Sequence, residues 1–103
     1  MKRSGTATGA YNNVSDIRLK KDIKPLLSSL SKLNKLKGFN YYWKTDSSSS
    51  SLKTGVIAQE IKEIFPELVQ EDEKGVLSVN YIGLIPHLVE AVKDQNQQIQ
   101  TLK

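Results

Sequence analysis

The spacing of apolar residues changes several times along this chain, and each change marks an element. Leu26, Leu27, Leu30, Leu33 and Leu36 recur at three- and four-residue intervals, the period of one helix face. They predict an amphipathic helix over 25–37. Pro25 is tolerated in its first turn, Asp22 is placed to cap it, and Gly38 serves as its stop. Lys32, Lys35 and Lys37 then fall near its negative dipole end. Ahead of it, Ile17 and Leu19 alternate with polar neighbours, which predicts a short strand. Behind it, Phe39–Lys44 is rich in aromatics and has strand character, and Leu52–Ile57 resumes as its hairpin-like partner. Between them, Asp46 and the serines 47–51 read as a flexible loop. Ala58, Ile61, Ile64 and Phe65 mark a short helix ended by Pro66. Leu68-Val69 leads to an acidic turn, and Val76, Leu77, Val79 and Tyr81 form another short strand.

The last segment, 84–103, is a single predicted helix with Pro86 in its first turn. Tyr81, Ile85, Leu88, Val92, Gln95, Ile99 and Leu102 step by four and three, which is a heptad seam. Gln95 is a polar seam residue of the kind that specifies register or oligomer state. Asp94–Gln98 has no apolar residue, so this end gains little by docking on its own domain. The helix therefore reads as self-associating, with Leu88, Val92, Gln95, Ile99 and Leu102 at the interface. Its rival reading is a surface helix packed on its own domain.

Size and charge sharpen this picture. At 103 residues, with 38% hydrophobic and 25% charged residues, the chain is one small domain with a lean core. A chain this short buries only about 60–65% of its unfolded surface, so association with further copies is the natural remedy. The net charge is +4 and the pI about 9.3. The positive excess sits in residues 2–37, while the remainder is net acidic. That asymmetry suits segments that attract one another within or across subunits. A basic nucleic-acid-binding domain is the competing reading of the charge, but no aromatic-interleaved basic stripe or recognition motif accompanies it. Cysteine is absent. No apolar run reaches the roughly 18–20 residues that span a membrane, and no apolar stretch follows Met1-Lys2-Arg3 as a signal peptide requires. Residues 1–14, with Gly5, Gly9, Asn12 and Asn13, read as an extended or loop leader.

Candidate chemistry is sparse. Ser15 precedes Lys20 by five residues in the run Ser15-Asp16-Ile17-Arg18-Leu19-Lys20-Lys21-Asp22-Ile23. A neutral lysine amine can take the proton of a serine hydroxyl once burial lowers its affinity for protons from the ordinary value of about 10.4. The spacing alone does not bring the two together, because residues five apart on a strand point to opposite faces. A turn at Asp16, or the lysine of another subunit, has to close the gap. The same residues also suit a capping serine beside a solvated basic face. His87, the single histidine, reads as a surface or interface residue and supplies no metal site. Glu60, Glu63, Glu67, Glu71, Asp72 and Glu73 read as a solvated helix face and an acidic turn. The glycines form no phosphate-cradling motif, and no cofactor is expected.

Four blocks in order add a resemblance. The run 15–23 resembles the SD-x-R-L-K-x-D-I opening of the endosialidase-type C-terminal intramolecular chaperone domain. Thr54–Ile61 resembles its central G-x-I-A-Q-E-V block, and Phe65–Val69 the P-E-L-V that follows. Val79–Tyr81, Leu84–Pro86 and Leu88–Lys93 resemble its closing block. Together they cover residues 15–93. The five-serine loop resembles a family-variable insertion.

The resemblance implies an α+β domain with short strands and helices and a long C-terminal helix in a trimeric, coiled-coil-like bundle. Residues 1–14 are then the end of an upstream fibre or a leader, and 15–103 the chaperone. Such domains end bacteriophage tail fibres, tailspikes and neck appendages, and a related one occurs in the eukaryotic myelin regulatory factor. They trimerise, help fold the upstream fibre of the same chain, and then release themselves. Mapped here, the scissile bond is Val14–Ser15, Ser15 the nucleophile and Lys20 the base. Asp16, Arg18, Gln59 and Glu60 match motif positions as supporting residues. Release takes place in the host cytoplasm during virion assembly, so the domain leaves the mature fibre. A trimerisation and capping module that does not cut is the alternative.

Overall fold

The computed structural model describes residues 4–5, 11–45 and 51–102. Residues 1–3 and 6–10 of the 1–14 leader, and 47–50 of the 47–51 serine loop with Asp46 before it, lie outside the described residues. Among the described residues, six short strands pair as three separate antiparallel two-stranded ribbons, and three α-helices and two 3₁₀ turns connect and cover them. The α+β class expected from the sequence is the observed one.

Strands β1 (Ser4–Gly5) and β2 (Tyr11–Asn12) pair within the leader. Residues 12–28 follow as one continuously exposed segment. Here two expectations are corrected. Ile17–Leu19 is a 3₁₀ turn, not a strand, because Asp16 caps it and accepts from the Arg18 backbone N–H. The helix expected over 25–37 contracts to α1, Ser29–Leu33. Pro25 biases Lys24 away from helical backbone, and Ser28 sits in the left-handed region at φ 63°, which no right-handed helix can run through. Asp22, also left-handed at φ 55°, caps nothing. After Leu33 the chain tightens through three-residue hydrogen bonds, Lys35 to Lys32 and Leu36 to Leu33, and so stops short of Gly38.

The aromatic segment and its partner do form a hairpin. β3 (Phe39–Tyr41) pairs with β4 (Lys53–Gly55), with Phe39 opposite Gly55 and Tyr41 opposite Lys53. Helix α2 (Ala58–Ile64) ends where Pro66 starts the second 3₁₀ turn, Pro66–Leu68. Leu68-Val69 leads into β5 (Val69–Glu71), which pairs with β6 (Leu77–Val79). The turn between them is held by the Asp72 carboxylate, which accepts from the N–H groups of Lys74 and Val76 at 2.8 and 2.9 Å. Gly75 supplies the positive φ, 83°, that closes it.

Ile61, Phe65 and Leu68 are buried at the centre, with Leu33, Leu36, Val56, Ile64, Val69, Val79 and Leu84 packed around them. Helix α3 (Leu84–Thr101) lies against α1. His87 is the pin between them, which corrects its reading as a surface or interface residue. It is buried, joined to buried Ser29 Oγ through Nδ1 at 3.0 Å, and its ring lies 4.1 Å from that of Phe65. Helical spacing places His87 and Ala91 on the face turned to the domain, so the histidine is satisfied as a core residue. Phe65 is 0% exposed, and Phe65→Ala is expected to cost about 3–5 kcal/mol. In a domain with so small a core, that should appear in thermal melts as loss of the cooperative transition.

Candidate active site

The 3₁₀ turn does what the sequence spacing alone could not. Asp16 at its start is extended (φ −70°, ψ 130°), as is Lys20 at its end (φ −109°, ψ 148°). Three tightly wound residues between two extended ones fold the chain back on itself. Leu19 N–H donates to Asp16 O at 3.0 Å and Lys20 N–H to Ile17 O at 3.1 Å. The Lys20 side chain thereby returns to Ser15, and Nζ donates to Oγ at 2.7 Å. Both residues belong to the same chain, with Val14 immediately before Ser15 and about half exposed.

Asp16 and Arg18 clamp this turn. The Asp16 carboxylate accepts from Arg18 N–H at 2.9 Å, from Nε at 3.1 Å and from Nη2 at 2.7 Å. The guanidinium hydrogen bond first, and the backbone N–H second, hold the Asp16 carboxyl below the usual carboxylate range. The same contact raises Arg18. A depressed carboxylate contributes its clamp at every pH above the ordinary carboxylate value of about 3.9 and loses it as pH falls through the lowered value. The Asp16 carboxyl carbon should therefore titrate by NMR at lower pH than in Arg18→Ala. Equal midpoints would show that the clamp does not persist in solution.

The structure thus gathers Val14, Ser15, Asp16, Arg18 and Lys20 into one turn. Gln59 and Glu60 stand apart in the first turn of α2. Among the described residues the hydrogen bonds of 15–20 close on one another, and neither Gln59 nor Glu60 is bonded to them. The turn itself is open to solvent. Ile17 is 72% and Leu19 65% exposed.

The α3 seam is equally uncovered. Leu88 is 51% and Val92 63% exposed, and Gln95, Ile99 and Leu102 are also exposed. A feature that sequence reasoning missed is a groove of about 660 Å³ walled by Phe39, Tyr41, Trp43, Ile57, Gln59 and Tyr81, among others. Its signal was the aromatic cluster at 39–43, which strand propensity absorbed. Gly55 lies beneath it. A Cβ there would come 2.6 Å from the Tyr81 hydroxyl, which itself accepts from Val56 N–H at 3.1 Å. Among the described residues, no cluster of carboxylates and histidine is placed to hold a metal ion, and no helix is long and apolar enough to cross a membrane.

Residues 15–70 match the profile of a family described as the chaperone of endosialidase, a family of self-cleaving serine peptidases. The match begins at Ser15. The chain is 37% identical over 95 residues, 86% of its length, to the long tail fiber protein Gp37 of Enterobacteria phage K3. Gp37 of Enterobacteria phage T2 is similar to the same extent. Gp37 of Salmonella phage S16 is 30% identical over 100 residues, 89% of this chain. The chain spans 8%, 7% and 13% of the length of these three fibre proteins.

Proposed function

Because this chain belongs to the chaperone-of-endosialidase family, we propose that it is the intramolecular chaperone of a phage tail-fibre polypeptide and cuts itself off at Val14–Ser15. Residues 1–14 are then the end of the client and 15–103 the chaperone. The observation that supports this best is the 2.7 Å contact between Lys20 Nζ and Ser15 Oγ within one chain, at the first residue of the family match.

The covalent steps involve only groups of the turn and water. Ser15 Oγ attacks the carbonyl carbon of Val14 while Lys20, in its neutral form, takes the hydroxyl proton. The tetrahedral intermediate collapses by breaking the Val14–Ser15 C–N bond. Lys20 returns the proton to the Ser15 nitrogen, leaving Val14 as an ester on Oγ. Water, deprotonated by the same amine, then adds to the ester carbonyl. It releases Val14 as a carboxylic acid and restores the serine hydroxyl.

The uncovered Leu88–Leu102 seam supports assembly as a homotrimer. In the trimer the copies align three fibre strands before release into the host cytoplasm, and the mature fibre no longer holds the domain. One observation favours the non-cutting capping module: the dyad is open to water in the single chain. A chain carrying its native upstream segment separates the two on a denaturing gel. Two fragments, the smaller beginning at Ser15, are expected, whereas one intact band would leave only the capping role.

A further inference from the structure

Within one chain the candidate site has a nucleophile and a base but lacks two things that acyl transfer requires. The first is a hydrogen-bond donor for the oxyanion that develops on the Val14 carbonyl, since among the described residues none is bonded to that oxygen. The Arg18 guanidinium is turned onto Asp16. The second is exclusion of water, since every residue from 12 to 28 is exposed. The aromatic groove has the complementary deficit. It is apolar and open, and at its wall stands Gln59, an exposed primary amide with no side-chain hydrogen bond among the described residues.

We propose that the groove of one copy receives the 15–20 turn of its neighbour, with Ile17 and Leu19 as apolar anchors and Gln59 donating to the Val14 carbonyl oxygen in trans. The inference rests on reading the chain as a self-cleaving trimer and specifies how that trimer completes its site.

Three observations favour a second copy as the occupant. Tyr81 both begins the heptad series and lines the groove, so groove and seam form one continuous surface. The opening segment also flanks the seam, because Pro25 and Leu26 share a shallow groove with Ile85, Pro86 and Val89 at the start of α3. Charge complements shape. Residues 15–24 have four cations (Arg18, Lys20, Lys21, Lys24) and two carboxylates (Asp16, Asp22), a net +2. Residues 58–68 have Glu60, Glu63 and Glu67 against Lys62, a net −2. Covering Ile17 and Leu19 would also exclude water from the turn, and Gln59 would supply the missing donor. Cutting would thus wait for assembly.

Mixed assemblies test this. Two differently tagged chains, each with its native upstream segment, are expressed separately and together, one Ser15→Ala and the other Gln59→Ala. Trimer formation is checked by sedimentation. Alone, Ser15→Ala should remain whole and Gln59→Ala should be cut at least tenfold more slowly than wild type. Together, about half of the Gln59→Ala chains should be cut, since in a three-fold ring each has an even chance of a neighbour with intact Gln59. The Ser15→Ala chains should stay whole. Mixed trimers in which neither chain is cut would place Gln59 in its own chain's site and overturn the proposal, as would wild-type cutting by Gln59→Ala alone. Trp43→Ala, at an exposed groove residue, should complement Ser15→Ala in the same way, and failure to do so would remove the groove from the site. A wild-type chain that stays whole would instead defeat the self-cleavage reading itself, before any mixing.

Discussion

Ser15→Ala, in a chain with its native upstream segment, is expected to stay one intact polypeptide and still assemble as a trimer. Nothing in the fold depends on the hydroxyl. Ser15 is exposed, and its hydroxyl accepts from Lys20 within the turn. Removing the nucleophile therefore removes the reaction without disturbing α1, α2 or the core. The measurement is a denaturing gel beside a sedimentation run. Persistent cutting between Val14 and Ser15 would eliminate Ser15 as the nucleophile, and loss of the trimer would show that the turn has a structural role.

Lys20 should behave alike for a different reason. Lys20→Ala removes the base, and general-base catalysis contributes about 10²–10⁴-fold. Lys20→Arg keeps the charge and much of the length but cannot help, because a guanidinium stays protonated in proteins. The pair of variants separates two roles for the amine. If its hydrogen bond merely positioned Ser15, arginine would restore a substantial part of the rate. If it accepts the proton, alanine and arginine fail together.

The sequence made the chemistry of this site legible but not its geometry. Ser15, Lys20 and the motif around them could be named from their order along the chain. Whether the two side chains meet could not, because a five-residue spacing fits neither strand nor helix. The answer lay in a 3₁₀ turn that depends on Asp16 bonding Arg18 two residues on, a local contact that outweighed the alternation of Ile17 and Leu19. The leucine periodicity of 25–37 misled for a related reason. Two serines and a proline precede most of its apolar stripe, and the left-handed backbone at Ser28 leaves only five residues of helix. Leu33 and Leu36 still reach the core, while Leu26 and Leu27 remain outside. His87 was illegible because its partners, Ser29 and Phe65, are 58 and 22 positions away, and burial of a lone histidine has no local signature. By contrast, the last helix, the β3–β4 hairpin and the Pro66 stop rest on local rules, and the structure follows them.

The small core also bears on how such a module would be used. Long fibres woven from non-local β contacts fold slowly and expose unpaired edges while they do so. A device that brings three chains into register shortens that exposure. Its later removal separates the folded fibre from the element that nucleated it, so the fibre's persistence becomes a matter of unfolding rate. A domain with three buried hydrophobic residues at its centre and an open apolar helix face has little stability to spare as a single chain.

That helix face leads to the second large effect, at Val92. Helix α3 has two sides with different fates. Leu84, His87 and Ala91 face the domain, whereas Leu88, Val92, Ile99 and Leu102 lie uncovered along the adjoining flank or beyond the domain's edge. Full burial of a side chain of this kind contributes about 1.5–3 kcal/mol, and a three-fold bundle would bury each seam residue in all three copies at once. Val92→Asp replaces that gain with three carboxylates brought together at one level. It should convert the trimer to monomer at micromolar concentration in a sedimentation experiment. The intrachain fold should survive, as read by retained helical circular dichroism, because Val92 does not face His87, Ala91 or α1. Cutting should be lost with the trimer although Ser15 and Lys20 are untouched. If the monomeric variant cut itself at the wild-type rate, the site would be complete in one chain, and assembly would have no part in timing the release.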